Sequence, residues 1–253
     1  MALRLITSFI LVASLLGCAT RQKAAKDQEQ AQYYLQIGTS YLLTGKNQLA
    51  LRNLLEAQRL APNSPVIANH LGLTYFGLQK YDNAYAQFRK ALKIKSNYTD
   101  ARNNLGAVFI AVGKYEQAIE ELERASTDLT YLQLQKVFNN LGLAHFRSNS
   151  YVKAQAAFRQ AMKYQERNCQ SNYYFGRSNY SLKKFKIASE SFDRAVKLCE
   201  KTSEQDGVFF YSGLSRMKLG EKELAAGRFR EVINLYPSSN YAKKAKQLLE
   251  MLQ

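Results

Sequence analysis

Two histidines and three cysteines are the residues in this 253-residue sequence that most often carry catalytic or metal chemistry. His70 and His145 stand far apart, and neither has a cysteine or carboxylate at a metal-ligand spacing. Glu120, Glu121 and Glu123 cluster, but their spacing predicts the solvated face of a helix rather than an acid/base pair. The sequence also lacks a P-loop, a nucleophile elbow and a Gly-rich phosphate loop. We therefore predict no enzyme activity, metal, cofactor or small-molecule substrate.

The element that holds these residues is a helical hairpin, clearest between Ala101 and Ala125. Apolar residues recur there at helical spacing on both sides of Gly113, which suits a turn. The same frame returns every 34 residues, or after 36 or 37 at two joins, at Gly38, Gly72, Gly106, Gly142, Gly176 and Gly213. Each of these glycines is followed by alanine after 12 positions, leucine or phenylalanine after 16, and alanine or valine after 19. Strand-like alternation is absent, so the pattern predicts an all-α fold.

This period and pattern resemble the tetratricopeptide repeat (TPR). The resemblance implies a TPR superhelical solenoid of six helix-turn-helix repeats plus a C-terminal capping helix. Repeats are expected at about 31–64, 65–98, 99–132, 135–168, 169–202 and 206–239, with the capping helix at 240–253. Such an array buries its apolar residues in a strip between neighbouring repeats. His145 holds the repeat position of Tyr41 and Tyr75, which indicates packing.

Residues 1–17 are predicted to be a lipoprotein signal peptide. Arg4 gives a positive start, and residues 5–16 are apolar but too short to span a bilayer comfortably. The run Leu-Leu-Gly-Cys at 15–18 resembles a bacterial lipobox, which implies cleavage before Cys18 and acylation of Cys18 with fatty acids such as palmitate. An ordinary secretory signal or an N-terminal anchor is the alternative. Residues 18–30 are polar and predict a tether.

The residue after the cysteine and the join between repeats 3 and 4 carry a more specific resemblance. Ala19 rather than aspartate resembles an outer-membrane address, which implies a periplasm-facing protein. The join, ASTDLTYL at 125–132 followed by VFNNLGL at 137–143, resembles the TPR lipoproteins of type IV pilus biogenesis, the PilF/PilW family. Chain length, lipobox and repeat number resemble that family too, although Leu132 stands where the family pattern has proline.

This second resemblance implies a pilotin, an outer-membrane lipoprotein that binds the secretin subunit and assists its localisation and assembly. It also implies an apolar groove near repeat 1, at Tyr34, Ile37 and Tyr41. A general periplasmic scaffold that recruits a protease or a peptidoglycan enzyme is the alternative function.

The inner surface of such an array is lined by the first helix of each repeat, so we expect the protein partner to bind there. The candidate residues are Tyr34, Leu35, Ile37, Tyr41, Leu42, Asn69, Leu73, Phe76, Asn103, Asn104, Asn139, Asn140, Phe146, Tyr173, Tyr174 and Arg177. The asparagines either bind a peptide backbone, since each amide can donate and accept, or are merely solvated. The aromatic residues either receive apolar partner side chains or, the favoured reading, form the core between repeats.

Cys169 and Cys199 are predicted to form a disulfide. They hold positions 1 and 31 of repeat 5, so they lie at the ends of two antiparallel helices that should be neighbours. An exported chain meets an oxidising compartment, which favours the bridge. Two buried free thiols are the alternative.

Basic charge dominates the sequence, with a formal net charge of +16. Runs such as Lys183-Lys184-Lys186 and Lys243-Lys244-Lys246 could meet anionic lipid headgroups, a polyanionic envelope polymer or an acidic partner segment. A generally basic soluble surface is an equal alternative. Export argues against a nucleic-acid partner, so we expect protein and, through the lipid anchor, membrane as the partners.

Overall fold

The structure, a computed structural model, describes the backbone of residues 2–200, 202 and 204–252, and the side chains of these residues from position 22 onward. Its helices are α1 Ala2–Leu43, α2 Asn47–Leu60, α3 Pro65–Gly77, α4 Tyr81–Ile94, α5 Thr99–Ala111, α6 Tyr115–Ser126, α7 Leu134–Arg147, α8 Tyr151–Tyr164, α9 Cys169–Ser181, α10 Phe185–Leu198, α11 Gln205–Lys218, α12 Lys222–Leu235 and α13 Asn240–Glu250. Within the described ranges there is no strand. The predicted all-α fold is confirmed.

The N-terminal region differs in part from its sequence-based description. Residues 18–30, predicted as a tether, continue α1 as helical backbone, and residues 22–30 are almost all exposed. The side chains of the predicted signal peptide and of Cys18 lie outside the described residues.

The hairpin turns between the paired helices place one residue in the left-handed backbone region. Gly45, Gly113 and Gly220 have φ between +70° and +79° there, as the turn signal at Gly113 predicts. The matching turns in the other repeats use Gln79, Asn149 and Lys183, with φ of 59°, 62° and 58°. The hairpin therefore tolerates a side chain at this turn, although a non-glycine residue there is unfavourable by about 1 kcal/mol.

The described chain divides into two compact units, residues 1–108 and 109–253. In the first unit, small residues let α1, α2 and α3 approach closely. The core there consists of Ala31, Leu35, Ala50, Leu54, Ala57, Ile67 and Leu71, all nearly inaccessible to solvent. Helix α3 starts at a cap in which the Ser64 side chain accepts from the Ile67 N–H, and Pro65 occupies the first turn. The last part of α1, from Ala31 onward, thus packs against the second and third helices.

In the second unit, each first helix crosses its partner where a glycine faces a phenylalanine. A Cβ built on Gly142 would lie 2.7 Å from the Phe158 ring, and Gly176 faces Phe192 in the same way. Phe158 and Phe192 are fully buried in two successive apolar clusters. A third cluster, around Phe229, packs against Ala242 and Ala245 of α13. Helix α13 therefore covers the last repeat of this unit.

Repeat 5 is joined at its ends by a disulfide between Cys169 and Cys199, whose Cα atoms lie 4.9 Å apart. Two polar residues in the same repeat replace the usual larger apolar ones, yet their amides are satisfied. The buried Asn172 side chain donates to the Glu166 and Asn168 carbonyls, and Asn179 accepts from Gln155. The interior of this repeat is held by hydrogen bonds in addition to apolar contact.

Candidate functional site

A cleft lies between α1 and α2 in the first unit. Its volume is about 420 Å³, and it is lined by Tyr34, Tyr41, Leu49, Arg52, Asn53 and Glu56. Tyr34 and Tyr41 are half-buried against the core of this unit, and Leu49 is 44% exposed. The two tyrosines form aromatic walls, and Arg52 and Glu56 place a basic and an acidic group at the edge. Such a cleft suits an apolar side chain of a ligand that is flanked by polar groups.

Only part of this cleft was anticipated from the sequence. Of the three residues predicted for a groove near repeat 1, Tyr34 and Tyr41 line this cleft, whereas Ile37 does not line it and is half-buried on the same helix. The four residues from α2 were not predicted, because the repeat pattern predicts the binding surface on the first helix of each repeat. The signal that could have found them is Leu49, an apolar residue on the polar side of an otherwise amphipathic helix.

The asparagines of the first unit bond to one another. The Asn104 amide donates to Asn69 at 3.0 Å, and Asn103 donates to Asn104 at 3.4 Å. Asn69 and Asn103 are 4% and 5% exposed. In the second unit, the buried Asn139 accepts from the Ser171 hydroxyl. These asparagines connect first helices of successive repeats, so neither sequence-based alternative, peptide binding or simple solvation, describes the buried ones.

Some of the residues predicted to bind a partner are buried and others are partly exposed. The candidates that are buried, and whose side chains therefore serve packing, are Leu35, Asn69, Asn103, Asn139 and Tyr173. The candidates that keep partial exposure are Tyr34, Ile37, Tyr41, Leu42, Leu73, Phe76, Asn104, Asn140, Phe146, Tyr174 and Arg177. The sequence pattern identifies the helix face, but the depth of each side chain depends on the neighbouring helix.

An arginine surrounded by aromatic rings lies on the first helices of the second unit. The Arg177 guanidinium lies 3.9 Å from the ring centre of Tyr211, 5.2 Å from Phe146 and 5.6 Å from Tyr173. Its Nη1 donates to the Tyr173 hydroxyl at 2.9 Å. We call these four residues the Arg177 cluster; α7, α9 and α11 each contribute to it. The rings hold the guanidinium by cation–π attraction.

The phenols of the Arg177 cluster are neutral at physiological pH. Burial raises the pKa of Tyr173 above its usual range, against the opposing effect of Arg177. Burial likewise raises the pKa of Tyr211. The positive charge of Arg177 is therefore not balanced by a phenolate.

The described residues contain no group of three or more His, Cys, Asp and Glu side chains that could hold a metal ion. Glu121, predicted to be solvated, is 8% exposed and packs on the inner side of α6. The sequence places Glu121 next to the exposed Glu120, but Glu121 lies on the side of α6 that faces the core.

No helix in the described part combines the length and apolar character needed to cross a membrane.

The tetratricopeptide-repeat family matches residues 31–64, 64–130, 135–168 and 208–239 of the chain. A similar curated protein is the type IV pilus assembly protein PilF of Pseudomonas aeruginosa. It is 25% identical over 169 residues, which cover 64% of this chain and 67% of PilF.

Solved structures agree on the fold. The structure of Pseudomonas aeruginosa PilF matches with a TM-score of 0.78 at 21% identity, over 88% of this chain and 99% of PilF. PilW, described as a widely conserved type IV pilus biogenesis factor, matches with a TM-score of 0.77 at 17% identity, over 85% and 97% of the two chains. MamA of Desulfovibrio magneticus RS-1 matches with a TM-score of 0.59 at 26% identity, over 67% and 94%.

Proposed function

Because this chain is a tetratricopeptide-repeat protein that is similar in sequence to a type IV pilus assembly protein, we propose that it is a pilotin. In this proposal it is a lipoprotein of the outer membrane that faces the periplasm. It binds the secretin subunit of the type IV pilus machine and assists secretin localisation and assembly. It acts as a binding adaptor and not as an enzyme.

The observation that carries the proposal is the cleft of repeat 1. A cavity of about 420 Å³ has room for one or two partner side chains rather than for a folded domain. The half-buried rings of Tyr34 and Tyr41 offer apolar surface and hydroxyl groups together. Arg52 and Glu56 at the edge can pair with polar groups on either side of an apolar anchor. Such a site suits a short segment of a partner protein.

Anchoring is proposed through Cys18. Two or three acyl chains hold a protein firmly to a bilayer, since each buried methylene contributes about 0.8 kcal/mol. We expect Cys18→Ser to abolish labelling by radioactive palmitate and to release the protein from membranes on fractionation. An unlabelled wild-type protein, or a Cys18→Ser variant that stays in the membrane, would remove this part of the proposal.

Direct binding to the secretin subunit tests the partner. Tyr34→Ala and Tyr41→Ala each remove a cleft wall while leaving the fully buried core residues in place. We expect each to weaken co-purification with the secretin by about ten-fold, since anchor residues of this type contribute more than about 1 kcal/mol. The matched control is Tyr164→Ala, which removes a tyrosine that is 52% exposed on α8.

The outcomes separate the partner from the site. If the wild-type protein fails to bind the secretin subunit, the partner is wrong. If the wild type binds and both cleft variants bind equally well, the secretin uses another surface.

A further inference from the structure

The Arg177 cluster contains a partly buried cation that has no carboxylate partner among the described residues. The other partly buried arginines of the same unit are paired. Arg216 bonds to Asp193 at 2.5 Å and to Glu221 at 2.9 Å, and Arg228 bonds to Asp193 at 3.1 Å and to Glu231 at 2.8 Å. For Arg177 the described structure gives one hydrogen bond, to a neutral phenol, and the faces of aromatic rings. Removing a cation from water without a counter-ion is costly, so this arrangement favours an anion.

The two first helices α7 and α9 of the Arg177 cluster contain no aspartate or glutamate that could supply that anion. On the neighbouring α10 and α11, Asp193 is paired with Arg216 and Arg228, and Asp206 accepts from Ser239. Residues 133–186 contain ten lysines and arginines but a single acidic residue, Glu166. Helices α7 and α8 contain no aspartate or glutamate at all. The positive charge of this part of the unit therefore adds to that of Arg177 instead of cancelling it.

The aromatic contacts also fix the direction of the guanidinium. Tyr211 stacks on one face at 3.9 Å, and the Tyr173 hydroxyl takes one of the five N–H donors. The remaining donors form a planar fork that matches the two oxygens of a carboxylate, and its orientation is set before any ligand arrives. The ring faces beside it can at the same time contact apolar atoms next to that carboxylate.

We propose that the Arg177 cluster is a second binding site, which takes the side-chain carboxylate of an aspartate or glutamate flanked by apolar residues in a partner protein segment. We favour a side-chain carboxylate over a C-terminal one because α9, which contains Arg177, lies between α7 and α11. A partner segment can therefore contact the protein on both sides of Arg177. Partly exposed residues on both neighbours, Asn140 and Leu143 on one and Leu214 on the other, offer contact on either side of Arg177. This site is separate from the repeat 1 cleft and does not depend on the secretin being the partner.

Peptide pools with blocked ends test the chemistry directly. Each pool has apolar residues of mixed identity around a central glutamate, glutamine or lysine, and binding to the full chain is measured by fluorescence anisotropy. We expect the glutamate pool to bind about ten-fold more tightly than the glutamine pool, as for one charge-assisted pair of hydrogen bonds. A glutamine pool with a free C-terminal carboxylate tests the other source of the anion. NMR of the arginine Nε–H groups reports whether the Arg177 signal moves.

Three variants distinguish a binding role from a folding role. Arg177→Gln should remove the preference for glutamate, Arg177→Lys should keep part of it, and Arg230→Gln, at an exposed position on α12, should leave it unchanged. The proposal is overturned if wild-type protein binds the glutamate and glutamine pools equally, or if only the free C-terminus binds. It is also overturned if the Arg177 signal stays fixed while the glutamate pool binds. The preference for the glutamate pool over the glutamine pool should persist in Tyr41→Ala, whatever that variant does to secretin binding, which separates this result from any failure of the repeat 1 cleft.

Discussion

His145 occupies the helix position that Tyr41, Tyr75 and Phe109 fill in other repeats, and it is 5% exposed. Its Nδ1 atom has no hydrogen-bond partner in the described structure. Burial lowers the pKa of His145 below its usual value of 6.5, nearby Lys153 lowers it further, and Glu123 acts weakly in the opposite direction. His145 has the packing role expected from the sequence. Because its imidazole can be protonated, the stability of the fold depends on pH in a way that a tyrosine at this position would not cause.

This dependence predicts a loss of stability in acid. Because the folded-state pKa lies below the unfolded one, the unfolded chain binds more protons in the window beneath pH 6.5. The contribution of His145 is complete above pH 6.5 and is lost as the pH falls toward the lowered pKa. Urea unfolding at pH 8 and pH 5 should show a smaller decline for His145→Phe than for wild type. An equal decline in His145→Phe and wild type would contradict the prediction.

The sequence could not show how deeply individual side chains are buried. The repeat frame placed Asn69, Asn103 and Asn139 on the inner helix face, but not that they would be buried and bonded to neighbouring polar groups. Helical period defines direction around one axis, whereas burial depends on how near the adjacent helix lies. Glu121 was misplaced for the same reason.

At the scale of elements, the glycine–phenylalanine crossing sets how closely two helices pack. In Gly142→Ala the added methyl group would lie 2.7 Å from Phe158, so the fully buried ring must shift. We expect a destabilisation of about 1–3 kcal/mol, as for overpacking in a core. Chemical denaturation measures it.

Gly227→Ala is the matched control, since its added methyl group meets nothing within 4 Å in the middle of α12. It should be neutral or stabilising by up to about 1 kcal/mol, because alanine is the better helix former. Equal destabilisation by both substitutions would show that helix propensity, and not close approach, governs these positions.

The ends of repeat 5 give a second prediction at this scale. Reduction of the Cys169–Cys199 bond, which joins residues 30 apart, should lower the free energy of unfolding by roughly 3.5–4 kcal/mol in the chain-entropy model. The double variant Cys169→Ala/Cys199→Ala should be indifferent to reductant. Mass spectrometry of native protein digested without reduction provides the covalent check. Two alkylatable thiols in that material would contradict the bridge.

Turn positions show how far sequence patterns reach at this scale. Gly113 signals its turn because glycine favours positive φ, and Gly45 and Gly220 do the same. Gln79 and Lys183 take the same backbone conformation without a residue-type signal, whereas Asn149 carries a weaker one because asparagine tolerates positive φ. The turns at Gln79 and Lys183 were predictable only from the 34-residue frame, which transfers the geometry of one repeat to the next.

For the whole molecule, the repeat period was sufficient to predict the fold. Six copies of a glycine, alanine and aromatic pattern determine helix order, pairing and the covering role of α13. The division into two compact units was not predictable, because every repeat carries the same pattern across residue 108. The residues from α2 in the repeat 1 cleft were not predictable from repeat positions either, since those positions predict a binding role only for the first helix of each repeat.

The central claim is that the repeat 1 cleft recruits a secretin for assembly, and the amount of assembled secretin in the outer membrane tests it most directly. A strain lacking this protein is complemented with wild type, with the double variant Tyr34→Ala/Tyr41→Ala, or with Tyr164→Ala, each at equal abundance. Detergent-resistant secretin multimers are then quantified. We predict that multimers are depleted in the deletion strain and in the double cleft variant, and restored by wild type and Tyr164→Ala. Normal multimers in the deletion strain, or full restoration by the double cleft variant, would contradict the account.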